Sequence, residues 1–512
     1  MKQRRNFFQK YTLFDRGFFS RDVLALVLSI SVVLVATLYP FNFSLPNDFS
    51  IRKIPTQFES TSYFIDQVNN VLLFIPLGFS LGTLLQKIRI PLIGKIIIVL
   101  LASAGLSLTV EVLQVFLPTR EPTPADILNN TTGGLVGLLC FYLGDSQKLV
   151  NTFSRIENSE ISQSTQKLTL IFFGYILLTI VLSISWLGIT SLSGWNPNYP
   201  LLLGNETTGN RPWQGYISKV YIADRAISTK EVAQVFADDQ YFDKIGNSLL
   251  ASYQFTHGCC EPDGTGKSPK LLQKQLWHEQ FSETQENKGV FISPGHWLQS
   301  ATPATSLNKR IRETSELTIS TTVASSETGQ TGPARIISVS NGALRRNFTL
   351  GQQGTDLDLR IRTSLTGENG AEFTLRVPNV FTDTNSHHIV ITYSKANLQV
   401  YVDNIRNLYS FNLLELMTKA QKLFYYALTF IPLGICLAIL TILAKRKLSF
   451  YRFLLFSGIL LPSAILEFLL VSESGKSISL SNLLIGVLFT TGTVLLLRLR
   501  ASAMLSKATI SR

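Results

Sequence analysis

Polar side chains that could bind a ligand or move a proton interrupt an apolar segment in the first part of the chain. Ser103, Ser107, Glu111 and Gln114 follow one another at intervals of four, four and three residues, which places them on one face of a helix. A carboxylate on an apolar helix is costly unless it is paired, so Glu111 is expected to face other protein segments. Arg120 is its nearest plausible basic partner in the sequence.

Two neighbouring apolar segments begin with residues of the same kind. Asp66 and Asn70 open one, and Asp126 and Asn130 open the other. The connecting stretch "LQVFLPTREPTPADILNNTTGG" at 113–134 is polar and rich in turn-forming residues, so it predicts a tight loop in which Asp126 caps the next helix. The predicted binding residues at this face of the membrane are Asp66, Asn70, Glu111, Gln114, Arg120, Asp126 and Asn130.

Three interpretations of this polar cluster remain open. It can be a site for a polar ligand the size of a lipid head group, a structural Glu–Arg pair with amides that satisfy backbone groups, or a path for an ion or proton. The carboxylates beside an Arg could also supply a general acid and base. No histidine lies in the apolar segments, and no metal-ligand spacing occurs there.

Composition indicates an integral membrane protein. The 512 residues are 46% hydrophobic and only 16% charged, with a mean hydropathy of +0.22, whereas soluble proteins have about a quarter charged residues. A spanning helix needs about 20 apolar residues. The candidate spans are 23–40, 68–85, 92–117, 127–143, 168–189, 423–443, 453–471 and 480–497.

The net charge of +12 does not indicate a nucleic-acid partner, because the basic residues lie in alternate loops of the eight-span topology. By the positive-inside rule these loops are cytoplasmic. Both termini are then cytoplasmic, and residues 195–416 lie outside the cytoplasm. In an oxidising compartment the adjacent Cys259 and Cys260 could form a strained disulfide or remain two free thiols.

An internal repeat divides the membrane part. "FIPLG" occurs at 74–78 and again 356 residues later at 430–434. A three-residue deletion would then align two further positions. The aligned pairs are Ser107 with Ser463, Glu111 with Glu467, Arg120 with Lys476, and, after the deletion, Asn129 with Asn482 and Gly133 with Gly486. We predict two parallel four-helix repeats, with the site in the first because the second has lost most of the polar residues.

The large outer segment has the pattern of an all-β domain. Runs such as "HHIVITYSKANLQVYVDN" alternate apolar and polar residues and are broken by Gly, Asn and Asp, which is typical of a sandwich or jelly roll. The predicted domains are 1–150, the first repeat; 151–194, a cytoplasmic linker and the fifth span; 195–416, the sandwich; and 417–512, spans six to eight with a basic tail.

Two resemblances follow from these motifs. "DQVNNVLLFIPLGF" with "EVLQVFLPTREPTPADILNNTTGGLVG" resembles the VanZ-like family of small bacterial membrane proteins, named for a glycopeptide (teicoplanin) resistance protein. "LLASYQF", "EPDGTGKS" and the late hairpin resemble a laminin-G/concanavalin A-like domain. The segment "LLLGNETTGNRPWQGYISKVYIADRAISTKEV" resembles that family's closing strands and terminal helix but comes first, so the domain looks circularly permuted.

These resemblances imply a multi-pass protein of the bacterial plasma membrane. The predicted function is binding or handling of an envelope glycan or lipid-linked sugar. The lipid bilayer is a further predicted partner, and an envelope protein is a candidate partner. The alternatives are an enzyme that uses outer-leaflet carboxylates on a lipid-linked substrate, and a transporter. No cofactor is predicted, although such sandwiches often bind Ca²⁺ and Asp263 is a candidate ligand.

Three local patterns bear on the sandwich. The E-x-D-x-x-E string of related glucanases does not occur, and "DLDLR" has two Asp at alternate positions but no following Glu, so a binding module is favoured over an enzyme. A packing role is expected for His387 and His388 at a strand start. Arg345 and Arg346 could bind acidic polysaccharide, but a solvated turn is the expectation that their position favours.

Overall fold

Eight apolar helices long enough to cross a membrane dominate the computed structural model. It describes residues 21–45, 64–117, 122–144, 146–238, 240–255, 268–269, 271–275 and 289–510, and within 146–149, 271–275 and 502–510 it describes the backbone. Each predicted span overlaps one of these helices, which confirms the eight-span prediction. The eight helices are α1 (Arg21–Leu38), α2 (Phe64–Leu85), α3 (Leu92–Gln114), α4 (Pro124–Gly144), α6 (Thr165–Gly188), α9 (Lys419–Leu443), α10 (Leu448–Ser474) and α11 (Leu480–Ile510).

The described ranges also contain three shorter α-helices. The first, α5 (Ser146–Glu157), follows α4 and was not foreseen from the sequence. The other two, α7 (Thr229–Ala237) and α8 (Thr305–Thr314), belong to the outer segment. A capping box begins α7, in which Ser228 and Glu231 each accept a hydrogen bond from the other's backbone N–H.

The chain divides into two compact units. The first comprises residues 1–173, 431–459 and 490–512, and the second comprises 174–430 and 460–489. The first four membrane helices therefore belong to one unit. The sandwich belongs to the other, together with the adjoining parts of α6, α9, α10 and α11.

Helices α2 and α4 approach each other at backbone distance. A Cβ atom added to Gly78 would lie 1.8 Å from the carbonyl oxygen of Gly134, and one added to Gly137 would lie 2.1 Å from the carbonyl oxygen of Ile75. The four-residue spacing of small residues in "GGLVG" permits this approach. A core of Val33, Phe74, Leu77 and Val110 joins α2 to α1 and α3.

The segment 195–416 contains a sandwich of two seven-stranded antiparallel sheets. The first sheet has the order β11-β10-β9-β8-β1-β6-β4, and the second β14-β13-β12-β7-β2-β3 with β5 paired to β2. The strands are β1 (Leu201–Leu203), β2 (Gly215–Ala223), β3 (Leu249–Gln254), β4 (Leu271–Gln275), β5 (Val290–Ile292), β6 (His296–Ser300), β7 (Leu317–Ser325), β8 (Ala334–Ser340), β9 (Arg346–Gln353), β10 (Asp356–Ile361), β11 (Leu375–Val377), β12 (Ser386–Ser394), β13 (Asn397–Val402) and β14 (Asn404–Asn412).

The first two strands of the sandwich lie inside the sheets. Strand β1 pairs with β8 and β6, and β2 pairs with β7 and β3. Strands that come first in the chain therefore fill central positions, as the predicted permutation requires. Leu201, Leu203 and Val220 from these strands are fully buried in the core.

Within the second unit, the sandwich is fastened to the helices around it. Tyr393 Oη donates to the carbonyl oxygen of Thr190 at 2.5 Å, and Asn412 Nδ2 donates to that of Ser474 at 3.0 Å. Lys395 and Glu473 form an ion pair at 3.0 Å. The sandwich is thus held at the end of α6, where the chain enters it, and at the end of α10.

The close α2–α4 packing predicts that Gly137→Ala destabilises the membrane part. The added methyl would meet backbone atoms at 2.1 Å and 2.7 Å, and such overpacking costs about 1–3 kcal/mol. The control is Gly105→Ala in α3, because no atom lies within 4 Å of that position. Thermal unfolding of the full chain in detergent measures both. Equal midpoints for the two variants would contradict the packing described here.

Candidate functional site

The carboxylate of Glu111 lies buried near the end of α3 and is held by the helix that follows. Glu111 is 2% exposed, and its Oε2 accepts a hydrogen bond from the backbone N–H of Thr123 at 2.8 Å. The first N–H groups of a helix have no partner within that helix, and the helix dipole favours an anion there. The N-terminus of α4 therefore supplies a donor that this carboxylate needs.

Thr123, and not Asp126, caps α4. The Thr123 Oγ1 accepts from the backbone N–H of Asp126 at 3.2 Å, so the predicted cap was wrong by three residues. Pro124 is the first helical residue, a position that suits proline because it needs no N–H donor. Asp126 is half-buried in the first turn and lies close enough to Glu111 for the two carboxylates to repel each other.

A second polar contact joins the two helices deeper in the bundle. Asn130 Nδ2 donates to Ser107 Oγ at 2.9 Å, and both residues are at most 1% exposed. The Oδ1 of Asn130 and the Oγ of Ser103 are buried with no hydrogen-bond partner. Buried polar atoms are usually satisfied, so these two atoms leave one acceptor and one hydroxyl available on the α3–α4 face.

Gln114, Asn70 and Asp66 lie in environments other than the Glu111 contact. Gln114 Nε2 donates to the carbonyl oxygen of Thr37 in α1 at 3.1 Å, so its amide is used in helix packing. Asn70 is half-buried in α2, while Asp66 is exposed on the first turn of that helix. Arg120 lies outside the described residues. The structure thus brings together Glu111, Asp126 and Asn130 of the predicted set.

Two polar residues of this region were missed from the sequence. Thr123 supplies both the N–H for Glu111 and the helix cap, and Gln67 is buried in α2 at 6% exposure. The Thr-Pro pair that precedes an apolar run is a helix-start signal and could have identified Thr123. Gln67 carries no such signal, since it lies beside Asp66 in an otherwise similar polar turn.

The second repeat, called the second copy below, has the same arrangement around its buried glutamate as the first. Glu467 Oε1 accepts from the backbone N–H of Ser479 at 2.7 Å, and Ser479 Oγ accepts from the N–H of Asn482 at 3.4 Å. Lys476 Nζ forms an ion pair with Glu467 at 2.5 Å, and both side chains are at most 5% exposed. Each of these residues lies 356 positions after its counterpart, so Ser479 corresponds to Thr123 and Asn482 to Asp126.

These contacts correct the predicted alignment, because no three-residue deletion is needed. Gly486 lies against Ser463 Oγ, 2.4 Å from an added Cβ atom, just as Asn130 lies against Ser107. Gly486 therefore corresponds to Asn130, and the proposed pairs of Asn129 with Asn482 and Gly133 with Gly486 are wrong. The three-residue deletion was suggested by matching Asn and Gly residues in the two sequences. The contacts between the helices exclude it.

The two copies differ in charge. In the second copy, the buried Glu467–Lys476 pair is neutral overall and Asn482 adds no charge. The first copy has Glu111, Arg120 and Asp126 at the same positions, which leaves one carboxylate in excess. Asp126 is thus the charge that distinguishes the first copy.

Comparison with known proteins assigns both parts of the chain. A VanZ/LLP1 family model matches residues 18–145. The chain carries a VanZ-like membrane domain. A model of the concanavalin A-like lectin/glucanases superfamily matches residues 299–407. Protein VanZ of Enterococcus faecium is 29% identical over 164 residues, which cover 32% of this chain and 90% of that protein. The search of solved structures gave no significant match.

These matches confirm both predicted resemblances. The seven predicted binding residues all lie within the VanZ-like domain, and the matched part of the concanavalin A-like domain contains β7 to β13. Cys259, Cys260 and Asp263 lie outside the described residues. Among the described residues, no group of three His, Cys, Asp or Glu side chains is placed to hold a metal ion.

One candidate residue of the concanavalin A-like domain is more buried than predicted. Arg346 is 0% exposed in β9, so the solvated turn expected for it was wrong, whereas Arg345 is 63% exposed beside Glu368. Alternation along a strand identifies a polar face but does not show what covers that face. His387 Nδ1 hydrogen-bonds Asp403 Oδ2 at 2.8 Å, and this bond raises the pKa of His387 above its ordinary value of 6.5.

The Glu467–Lys476 pair predicts a strong dependence on both partners. Lys476→Met would leave a buried carboxylate unpaired, a change that costs about 3–5 kcal/mol. The double variant Glu467→Gln/Lys476→Met should recover much of that loss, since it removes both charges. The control Lys395→Met breaks an exposed pair and should cost about 0–1 kcal/mol. Denaturation of the full chain in detergent tests this order, and equal losses for Lys476→Met and Lys395→Met would contradict it.

The His387–Asp403 bond predicts a pH-dependent contribution to stability. Because folding raises the pKa of His387, the contribution is complete below about pH 6.5 and is lost as pH rises through the folded-state pKa. The melting-temperature difference between the wild type and His387→Gln should therefore be larger at pH 6 than at pH 9. Asp383→Asn, which removes the more exposed carboxylate at 3.5 Å, should have a smaller effect. A difference that is constant with pH would refute the assignment.

Proposed function

We propose that this VanZ-like protein binds an envelope glycan or the sugar head group of a lipid at the outer face of the bacterial plasma membrane. The head-group site is the cluster of Glu111, Asp126 and Asn130, with Arg120 as its basic member. The concanavalin A-like domain captures the polymer or presents it. The resemblance to the VanZ family, whose name comes from glycopeptide resistance, supports a role in the cell envelope.

The observation that carries this proposal is a buried carboxyl group beside polar atoms that have no hydrogen-bond partner. Glu111 is held by one backbone N–H, while Asn130 Oδ1 and Ser103 Oγ have no hydrogen-bond partner. Sugar hydroxyl groups both donate and accept hydrogen bonds, so they suit a carboxylate, an amide oxygen and a hydroxyl on one face. A neutral apolar ligand would leave all three unsatisfied.

Comparison of the two copies supports the first as the binding copy. The second copy keeps the buried carboxylate but neutralises it with Lys476, replaces Asp126 with Asn482 and replaces Asn130 with Gly486. A purely structural role would need only the features that both copies share. The residues that only the first copy has, Asp126 and Asn130, are therefore the ones assigned to the ligand.

The positions of the basic residues support the membrane orientation that the proposal requires. Lys and Arg in alternate loops favour cytoplasmic termini and an extracytoplasmic sandwich. On that orientation, the polar ends of α2, α3 and α4 face outward, on the same side as the sandwich. The proposed partners are the lipid bilayer and an envelope glycan, with an envelope protein as a further partner of the sandwich, and no nucleic acid. No cofactor is required, and Ca²⁺ in the sandwich remains an untested expectation.

The test uses the full chain in lipid nanodiscs and the binding of a lipid-linked disaccharide. Asp126→Asn gives the first copy the residue of the second, so it should weaken binding about tenfold or more, the loss expected for a hydrogen bond to a charged group. Glu111→Gln should have a similar effect. Glu473→Gln is the control, because Glu473 is exposed and pairs with Lys395. If Asp126→Asn and Glu111→Gln bind as tightly as Glu473→Gln, the proposed site is wrong.

A further inference from the structure

Two arginines of the first sheet are buried with most of their donor atoms unpaired. Arg335 in β8 is 1% exposed and Arg346 in β9 is 0% exposed. The Nε and Nη1 atoms of both guanidinium groups have no hydrogen-bond partner, and only Nη2 of Arg346 donates, to the carbonyl oxygen of Ala343. Burial of a charged group without compensating hydrogen bonds is among the most costly arrangements in a protein.

The strand register places these arginines in a continuous polar surface. Arg335 lies opposite Gly351, which lies opposite Asp358. Thr349, in the next row of the same face, lies opposite Arg360, and its Oγ1 is also buried without a partner. Gly351 places no side chain between Arg335 and Asp358, and a Cβ atom added there would lie 2.7 Å from the carbonyl oxygen of Ala334.

The carboxylates of this surface are engaged elsewhere. Asp358 pairs with Arg360 at 3.1 Å and with Arg376 at 3.4 Å. Glu206 Oε1 accepts from Ser340 Oγ at 2.7 Å, while its Oε2 is buried with no hydrogen-bond partner. Neither carboxylate forms an ion pair with Arg335 or Arg346 in the described part of the chain.

Positive charge is therefore in excess on this surface. Burial and the neighbouring arginines lower the pKa of Arg335 to about 9 and that of Arg346 to about 10. Both groups consequently remain charged at neutral pH. Glu206 and Asp358 attract both guanidinium groups, but four buried donor atoms of the two arginines and Glu206 Oε2 still have no hydrogen-bond partner in the described part of the chain.

We propose that this surface, the arginine site, binds an acidic sugar unit. Its carboxylate or phosphate group lies between Arg335 and Arg346, and one of its hydroxyl groups donates to Glu206 Oε2. Guanidinium groups bind such anions through paired charge-assisted hydrogen bonds. The side chains of Arg360 and Arg376 are 21% and 40% exposed, so they mark the solvent side of the site. The inference rests on the proposed capture of a glycan by the sandwich and names its chemical class.

An unoccupied arginine site should lower the stability of the protein. Arg335→Met removes an unpaired buried charge and retains an apolar chain of similar reach. We expect this variant to unfold at a temperature equal to or above that of the wild type when no anion is present, because the cost of burying the charge disappears. A purely structural arginine would instead give a lower unfolding temperature, and that result would overturn the inference.

Binding is tested on the full chain in detergent with three probes: inorganic phosphate, glucuronate and glucose, with ionic strength held constant by chloride. Phosphate or glucuronate should bind and raise the unfolding temperature, and glucose should not. Arg335→Gln and Arg346→Gln should each weaken anion binding about tenfold to a hundredfold, as expected for charge-assisted hydrogen bonds. The control Arg345→Gln changes the adjacent exposed arginine and should bind as the wild type does.

The outcomes distinguish a phosphate-bearing polymer from a uronic-acid polymer. They also distinguish failure of the arginine site from failure of the membrane site. Tighter binding of phosphate indicates a phosphate-bearing polymer, and tighter binding of glucuronate indicates a uronic-acid polymer. Binding of neither anion, or equal losses in Arg345→Gln and Arg335→Gln, would overturn the arginine site. Asp126→Asn should leave anion binding unchanged. Loss of lipid-linked disaccharide binding in Asp126→Asn therefore tests the membrane site independently of this one.

Discussion

The membrane part of this protein depends on how it satisfies a carboxylate inside an apolar bundle. In both copies a glutamate near the end of one helix accepts a hydrogen bond from the first backbone N–H groups of the next, at Thr123 for Glu111 and at Ser479 for Glu467. This geometry needs a short connection and a capped helix start. It also needs close helix packing, which the glycines of α2 and α4 allow in the first copy.

The two copies share this arrangement but differ in the charges around the buried glutamate. The second copy neutralises its glutamate with Lys476, and the loop that carries Lys476 also contacts the sandwich, since Ser477 donates to Glu415 at 2.8 Å. Both copies contain a buried hydroxyl and a buried amide oxygen without a hydrogen-bond partner among the described residues, Ser103 Oγ and Asn130 Oδ1 in the first and Ser463 Oγ and Asn482 Oδ1 in the second. The additional carboxylate of Asp126, which is an asparagine in the second copy, is therefore the feature that separates the two.

Apolar run length predicted all eight spanning helices, and strand alternation predicted the sandwich, because both patterns follow directly from burial. Finer features depended on contacts between segments. Asn482 could be aligned with Asp126 only from its place in the α11 cap, and Thr123 replaced Asp126 as the α4 cap because Pro124 fixes the first helical position. The burial of Arg346 was missed because alternation reports which face a side chain occupies but not whether that face is covered.

The attachment of the sandwich has a mechanical consequence. It is joined to the helices of its unit by the covalent chain at both ends and by the contacts of Lys395 and Asn412 with Glu473 and Ser474. A single flexible tether would let the sandwich swivel when pulled, but several separated attachments resist rotation. If the sandwich binds a polymer as proposed above, tension on that polymer would be transmitted to the ends of α6, α9 and α10.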